Sequence, residues 1–173
     1  MKTPRASAEQ ELSRLFDDYS DAIFRYVCFR MSDREIAKDL VQETFVRYWQ
    51  CLVREDDIRN SKALLYKIAG NLVIDHFRKK KEAVSLDKLA EDGFEPGENP
   101  FPNINDKMEL DQTIAMFQKL DDPYRKVLIL RFVEGLDPKE IAEILEETPN
   151  SISVRIHRGL QKLRTFFPHT KTL

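Results

Sequence analysis

Asn150, Ser151, Ser153, Arg155 and Arg158 crowd short hydrogen-bonding and cationic side chains into one stretch of the chain. Their chemistry is recognition rather than bond-making, because Asn, Ser and Arg hydrogen-bond to base edges and phosphates. They stand on a segment, DPKEIAEILEETPNSISVRIHRGLQKLR from Asp137 to Arg164, that spells two short helices with a tight corner between them. Asp137 can accept from the free amides of a new helix, Pro138 suits its first position, and Glu140 falls where a capping-box carboxylate belongs. Ile141, Ala142 and Leu145 then recur at helical spacing, and Thr148 with Pro149 repeats the start signal. The second helix gathers Ile152, Ile156, Leu160 and Leu163 on one stripe and leaves the five polar residues, with His157 and Lys162, on its other faces. From Ser151 to Leu173 there are five Lys or Arg residues and no Asp or Glu, although the chain is net −2. A helix-turn-helix of this kind suits the major groove of duplex DNA. A helical hairpin with a solvated face fits the same local pattern.

A second cluster lies at DHFRKKK, where Lys62, Lys67, Asn71, His76, Arg78 and Lys79 are interleaved with Tyr66 and Phe77. Aromatic rings beside cations can stack on unpaired bases while the cations neutralise phosphate, which suits single-stranded nucleic acid. The same residues fit a helix C-terminus whose dipole favours lysines, with Phe77 in the core. Nothing points to catalysis. His76, His157 and His169 are scattered, and no phosphate-cradling glycine loop occurs. Cys28 and Cys51 have no CxxC or Cys/His neighbour, so no zinc site, disulfide or other cofactor is expected, and two buried thiols are.

These residues need elements to position them. Leu12, Leu15, Phe16, Tyr19, Ile23, Phe24 and Val27 keep a helical period from about Glu9 to Met31. Ser32 with Glu35 reads as a capping box for a second helix, whose apolar face is Ile36, Leu40, Val41, Phe45, Tyr48, Trp49 and Leu52. Its other face shows Lys38, Asp39, Gln42, Glu43 and Arg47. After VREDDIRN, Ser61 opens a third helix to about Lys81, with Leu64, Leu65, Ile68, Leu72, Ile74 and Phe77 as candidate core. Residues 82–106 mix acids with Gly93, Pro96, Gly97, Pro100 and Pro102, which break regular structure and read as a linker. Met108, Leu110, Ile114, Phe117 and Leu120 form a further stripe. Asp122 and Pro123 open another, with Tyr124, Val127, Leu128, Leu130, Phe132 and Val133, before Gly135 ends it.

The fold class expected is all-α: a three-helix domain over 8–81, an acidic linker over 82–106, and a four-helix domain over 107–168. Charge is partitioned accordingly. Residues 1–81 carry 16 Lys and Arg against 13 Asp and Glu, whereas residues 82–111 carry 2 against 9. Both ends suit a polyanion, with an acidic strip between them. Hydrophobic content of 42% with 34% charged residues indicates a soluble helical chain. No apolar run reaches membrane-spanning length and MKTPRASAEQ lacks a signal-peptide core, so a cytoplasmic protein without membrane insertion is expected.

In order along the chain, LFDDYSDAIFRYV, AKDLVQETFVRYW, ALLYKIAGNLVIDHFRKKK, LDDPYRKVLILRFVEGLDPKEIAEIL and SISVRIHRGLQKLR resemble the extracytoplasmic-function (ECF) bacterial sigma factors, the short class with only sigma domains two and four. The resemblance covers nearly the whole chain, and its specificity lies in the order and spacing of the five motifs. It implies that Asp39, Leu40, Gln42, Glu43 and Phe45 bind the beta-prime clamp helices of core RNA polymerase, with the beta flap as a further contact. It implies that the loop from Arg54 to Asn60 with Lys62, Lys67, Asn71, His76, Arg78 and Lys79 engages the opening minus-ten element. Asn150, Ser151, Ser153, Arg155 and Arg158 would read the minus-thirty-five element as duplex. An anti-sigma factor is the implied regulator. Two positions depart from the family pattern: Glu146 stands at the corner where glycine is common, and Ser153 where lysine is frequent. The competing function is a stand-alone helix-turn-helix regulator, which has no use for the DLVQETF surface or the basic third helix. A structural helical adaptor does not explain basic surfaces at both ends.

Overall fold

A computed structural model describes residues 4–31, 33–84 and 107–166, and all regular structure among them is helical. The chain divides into two units, Met1–Glu98 and Asn99–Leu173. The expected linker lies outside the described residues, apart from the end of the third helix.

The first unit holds three long helices: α1 (Pro4–Arg30), α2 (Arg34–Val53) and α3 (Ser61–Val84). Helix α1 begins earlier than the apolar period indicates, because polar residues such as Ser7 and Gln10 continue a helix without adding to its buried stripe. Asp33 caps α2: its carboxylate accepts from the amides of Glu35 at 2.9 Å and Ile36 at 3.1 Å, while Ser32, the expected cap, lies outside the described residues. The Asn60 side chain does the same for α3, accepting from Ala63 N at 3.0 Å. Leu15, Ile23, Val27, Val41, Phe45, Tyr48, Leu65 and Leu72 are buried where the three apolar stripes meet. Ile74 and Phe77, expected in the core, are instead 48% and 43% exposed. Their helix runs on to Val84, and Arg78 and Lys79–Lys81 are exposed as well.

Polar groups fix the register of this unit. Tyr48 is buried, and its hydroxyl donates to Glu11 Oε1 at 3.2 Å and lies 2.8 Å from Ser61 Oγ, whose own hydroxyl can donate to it, tying α2 to α1 and α3. Burial, more than the nearby carboxylate, pushes this phenol above its ordinary pKa. The Arg30 side chain is 1% exposed and donates through Nη1 to Tyr26 Oη at 3.1 Å and to the Gly70 carbonyl at 3.4 Å. A Cβ on Gly70 would sit 3.2 Å from that tyrosine oxygen, so the close approach of α1 and α3 uses a glycine.

The second unit is built from shorter helices: α4 (Lys107–Gln118), α5 (Asp122–Leu128) with a π-helical turn over Ile129–Val133, α6 (Pro138–Leu145) and α7 (Pro149–Thr165). Its core is aliphatic: Val127, Leu128, Ile129, Leu130, Leu136, Ile141, Ile144 and Ile152 are buried, together with Phe117. The π turn was not legible, since its widened bond from Glu134 N to Ile129 O at 3.1 Å leaves the apolar run unchanged. It turns Phe132, expected to pack, outward to 56% exposure. Gly135 follows at φ +70, as the helix end requires. Arg125 closes α4 by donating to the carbonyls of Gln118 at 3.1 Å and Leu120 at 2.8 Å, groups that a helix end leaves without intrahelical partners.

Candidate nucleic-acid interface

Helices α6 and α7 form the expected helix-turn-helix. The Asp137 carboxylate accepts from Lys139 N at 2.8 Å and Glu140 N at 2.9 Å, and Glu140 Oε2 accepts in return from Asp137 N at 2.9 Å. These amide bonds hold the Asp137 carboxyl below its ordinary pKa. Thr148 caps α7 by accepting from Ser151 N at 3.2 Å. Between the caps the chain turns at Glu146, which adopts left-handed φ 55 and ψ 43. The corner closes without the glycine that is common there in the family the sequence resembles, at the cost of a conformation most residues avoid. Gly159 is buried, and a Cβ there would lie 3.2 Å from Leu128, so α7 approaches α5 through a glycine. Lys162 ties the other end of α7 to the α4–α5 corner, 2.6 Å from Asp121 and 4.7 Å from the centre of the Tyr124 ring.

The five α7 residues divide into two groups. Asn150, Ser153 and Arg158 are exposed, with the Ser153 hydroxyl donating to the Pro149 carbonyl at 2.9 Å. Arg155 and Ser151 instead turn to the corner. The Arg155 guanidinium donates to both Glu147 carboxylate oxygens at 2.6 Å each, and Ser151 Oγ lies 3.0 Å from Glu147 Oε2. The Arg155 hydrogen bond, then Ser151, holds the Glu147 carboxyl below its ordinary pKa against the opposing effect of desolvation. Val154, His157 and Gln161 are exposed along the same helix and were not among the sequence candidates, because the cationic and short polar residues drew the selection. The available signal was spacing: Val154 lies four residues from Asn150 and from Arg158, His157 three from Val154, and Gln161 three from Arg158.

On α3, Lys67, Asn71, Ile74 and Arg78 recur at four, three and four residues and so share one stripe. Asn71, Ile74 and Arg78 are exposed, and Arg78 lies 3.2 Å from Asp75. Phe77 is exposed beside them, its ring centre 6.0 Å from that of His76. Lys62 and Asn71 are nine residues apart and therefore point to opposite sides of the helix. Lys62 and His76 are both half-buried, and Lys79 is exposed on a flank of its own. The structure thus groups Lys67, Asn71 and Arg78 and leaves Lys62, His76 and Lys79 apart from them. In the preceding loop, Glu55 takes φ 57, and Arg54 pairs with Asp56 at 3.2 Å.

On α2, Asp39, Gln42 and Val46 are exposed along one face, and Glu43 beside them pairs with Arg47 at 2.7 Å. Leu40 is half-buried. Phe45 is buried, its ring 4.9 Å from Phe16 and edge-on to it. The two rings belong to an apolar groove of ≈ 500 Å³ lined by Glu9, Leu12, Ser13, Phe16, Phe45, Val46 and Trp49, which continues the Asp39–Gln42 face.

Among the described residues no cluster of three or more His, Cys, Asp or Glu could hold a metal ion. Burial pushes the Cys28 thiol up to about 12, so it remains protonated, while Cys51 is half-buried rather than buried. No described helix is long and apolar enough to cross a membrane.

A three-helix bundle and a helix-turn-helix domain on one chain define a two-domain DNA-binding protein, and comparison with known proteins names its family. The family profile described as Sigma-70 region 2 matches residues 15–83, and that described as Sigma-70, region 4 matches residues 110–163. The ECF RNA polymerase sigma factor SigW of Bacillus subtilis is 32% identical, over 95% of this chain and 92% of its own length. SigM of the same organism, also an ECF RNA polymerase sigma factor, is 25% identical over 90% of this chain and 94% of its own. The chain belongs to the ECF RNA polymerase sigma factors. Among solved structures, the sigma factor RpoE in complex with the anti-sigma factor NepR from Bartonella quintana superposes with TM-score 0.78 at 19% identity, covering 94% of this chain and 99% of that one. CnrH, in complex with the cytosolic domain of CnrY, gives TM-score 0.72 at 22% identity over 97% of each chain. These likenesses show the fold.

Proposed function

We propose that this chain is a promoter-recognition subunit: it joins core RNA polymerase, reads promoter DNA and starts transcription, performing no bond chemistry itself. The observation that carries this reading is that an exposed, partly acidic docking face on α2 and an outward-facing reading helix, α7, occur on one chain. In this account Asp39, Gln42 and Glu43, with the apolar groove floored by Phe45, take the beta-prime clamp helices; a polar acidic patch bordered by apolar surface suits a basic coiled coil. Leu40 supports that face from its half-buried position, and the beta flap is the contact of the second unit. The stripe of Lys67, Asn71 and Arg78, with Ile74 and Phe77 exposed beside it, takes the opening minus-ten strand, where unstacked bases meet apolar and aromatic surface. Lys62, His76 and Lys79 lie off this stripe, and the two lysines contribute charge rather than contacts to the same bases. Asn150, Ser153 and Arg158 read the minus-thirty-five duplex, with Ser151 and Arg155 supporting the corner. The protein acts in the cytoplasm beside the chromosome and is held inactive by an anti-sigma factor, a partner of the kind that NepR is to the sigma factor RpoE.

The test is transcription by core polymerase and this chain from a promoter library randomised at both elements. Recovery of a shared two-part motif supports the reading. Asn71→Ala is expected to slow promoter opening while leaving core binding intact. A protein that selects a duplex motif without core polymerase, and never transcribes, would be a stand-alone regulator.

A further inference from the structure

The pairing of Glu147 with Arg155 joins a residue of the corner to a residue of the reading helix eight positions on. Both carboxylate oxygens take a guanidinium nitrogen at 2.6 Å, and Ser151 Oγ adds a third contact to Glu147 at 3.0 Å. Each side chain of the pair is 24% exposed, so the fork is sheltered on most sides. Bidentate guanidinium–carboxylate pairs are strong and directional because their two planar groups match. To reach a base, Arg155 would have to surrender both bonds and leave the Glu147 charge unneutralised, with the Ser151 hydroxyl still on it. An unneutralised carboxylate at a DNA-facing corner repels the backbone. The fork therefore does two things: it neutralises the Glu147 charge at the corner, and it occupies one of the two guanidinium groups, Arg155 and Arg158, near the middle of the reading helix.

We propose that Glu147 determines specificity in promoter reading by withholding Arg155 from the duplex, so that the exposed residues Asn150, Ser153, Val154, His157 and Arg158 discriminate the bases. This rests on the sigma-factor reading above, and it makes Glu147 a positioning residue that acts through Arg155. Without the fork, the guanidinium is free to seek phosphate, which strengthens binding to any sequence and so dilutes discrimination.

The test uses holoenzyme assembled from the full chain and core polymerase, on promoters carrying each single-base change in the minus-thirty-five element, over a range of salt. Wild type is compared with Glu147→Gln, with Glu147→Gln/Arg155→Gln, and with Glu147→Asp; thermal unfolding verifies that each variant folds. The double variant is expected to keep the wild-type base preferences to within about twofold, and the wild-type salt slope, because the guanidinium it removes touches no DNA. Glu147→Gln alone is expected to steepen the salt slope by about one charge and to bind scrambled duplex several-fold more tightly, since it frees a cation. A merely structural role predicts no such gain. Glu147→Asp keeps the charge and is expected to return the slope to wild type.

Three results would overturn the proposal. The double variant could lose about tenfold in preference at one base pair, which would make Arg155 a base reader, or its slope could fall by about one, which would make Arg155 a phosphate contact. Glu147→Gln could also match wild type in slope and discrimination, which would show that the carboxylate withholds nothing. Failure of the underlying reading looks different: wild-type holoenzyme would then ignore the minus-thirty-five sequence, and every variant with it.

Discussion

The two units hold themselves together by opposite means. The first has helices of 27, 20 and 24 residues and hides polar groups among them: Arg30 and Thr44 are the buried polar or charged residues among those described, and both lie there. The second has helices of 12, 7, 8 and 17 residues around an aliphatic core, with its polar contacts at the corners. Long helices can slide against one another, and buried hydrogen bonds such as Arg30 to Gly70 or Tyr48 to Ser61 fix their register. Short helices are limited instead by their ends, so caps and corner ion pairs decide their angles. The difference suits the two tasks proposed. A platform that opens DNA must keep its side chains in register, whereas a duplex reader needs one helix held at a set angle.

Substitutions can break this contrast unit by unit. The largest expected effect is Arg30→Ala, which removes a wholly buried side chain and strands the Tyr26 hydroxyl, at a cost of about 3–5 kcal/mol to the first unit alone. Calorimetry resolving two transitions would show one falling; a fall in both would mean that the units do not unfold separately. Leu128→Ala is expected to cost the second unit about 2–4 kcal/mol, the price of a cavity in an aliphatic core. Asp137→Ala removes a capping box and is expected to cost about 1 kcal/mol there, with no counterpart in the first unit. Glu146→Gly relieves a left-handed residue and is expected to stabilise the second unit by about 0.5–1 kcal/mol, the gain being limited by the greater freedom of glycine in the unfolded chain.

Acid sharpens the same contrast. The folded pKa values of Glu147 and Asp137 are depressed, so their contribution is complete above the ordinary carboxylate range and is lost as pH falls through the folded values. The second unit is expected to lose stability across that window, and Glu147→Gln to flatten part of the loss. An unchanged acid profile in the variant would remove the fork from the account of that unit's stability.

What sequence could show follows from how local each signal is. The caps at Asp137, Glu140 and Thr148 were legible because a cap involves residues two or three apart. Ser32 and Asp33 offer the same capping chemistry in sequence, and Asp33 serves α2. The helical period points Ile74 and Phe77 to the core, but it continues along α3 past the residues that pack, and both are exposed. The corner at Glu146 closes without glycine, and sequence alone gave no means of weighing that strain. The bond from Arg155 to Glu147 was illegible because its partners meet only after the turn has formed. Among the candidates for the minus-ten strand, spacing alone already separates Lys62 from Asn71, and only the assembled bundle shows which side faces outward.

The most direct test of the central claim is co-elution of the purified chain with core RNA polymerase, comparing wild type with an Asp39→Arg/Gln42→Ala variant. The account predicts a stable complex for wild type and its loss in the variant, whose exposed substitutions leave unfolding unchanged. A wild-type chain that binds promoter duplex yet never co-elutes with core polymerase would contradict it.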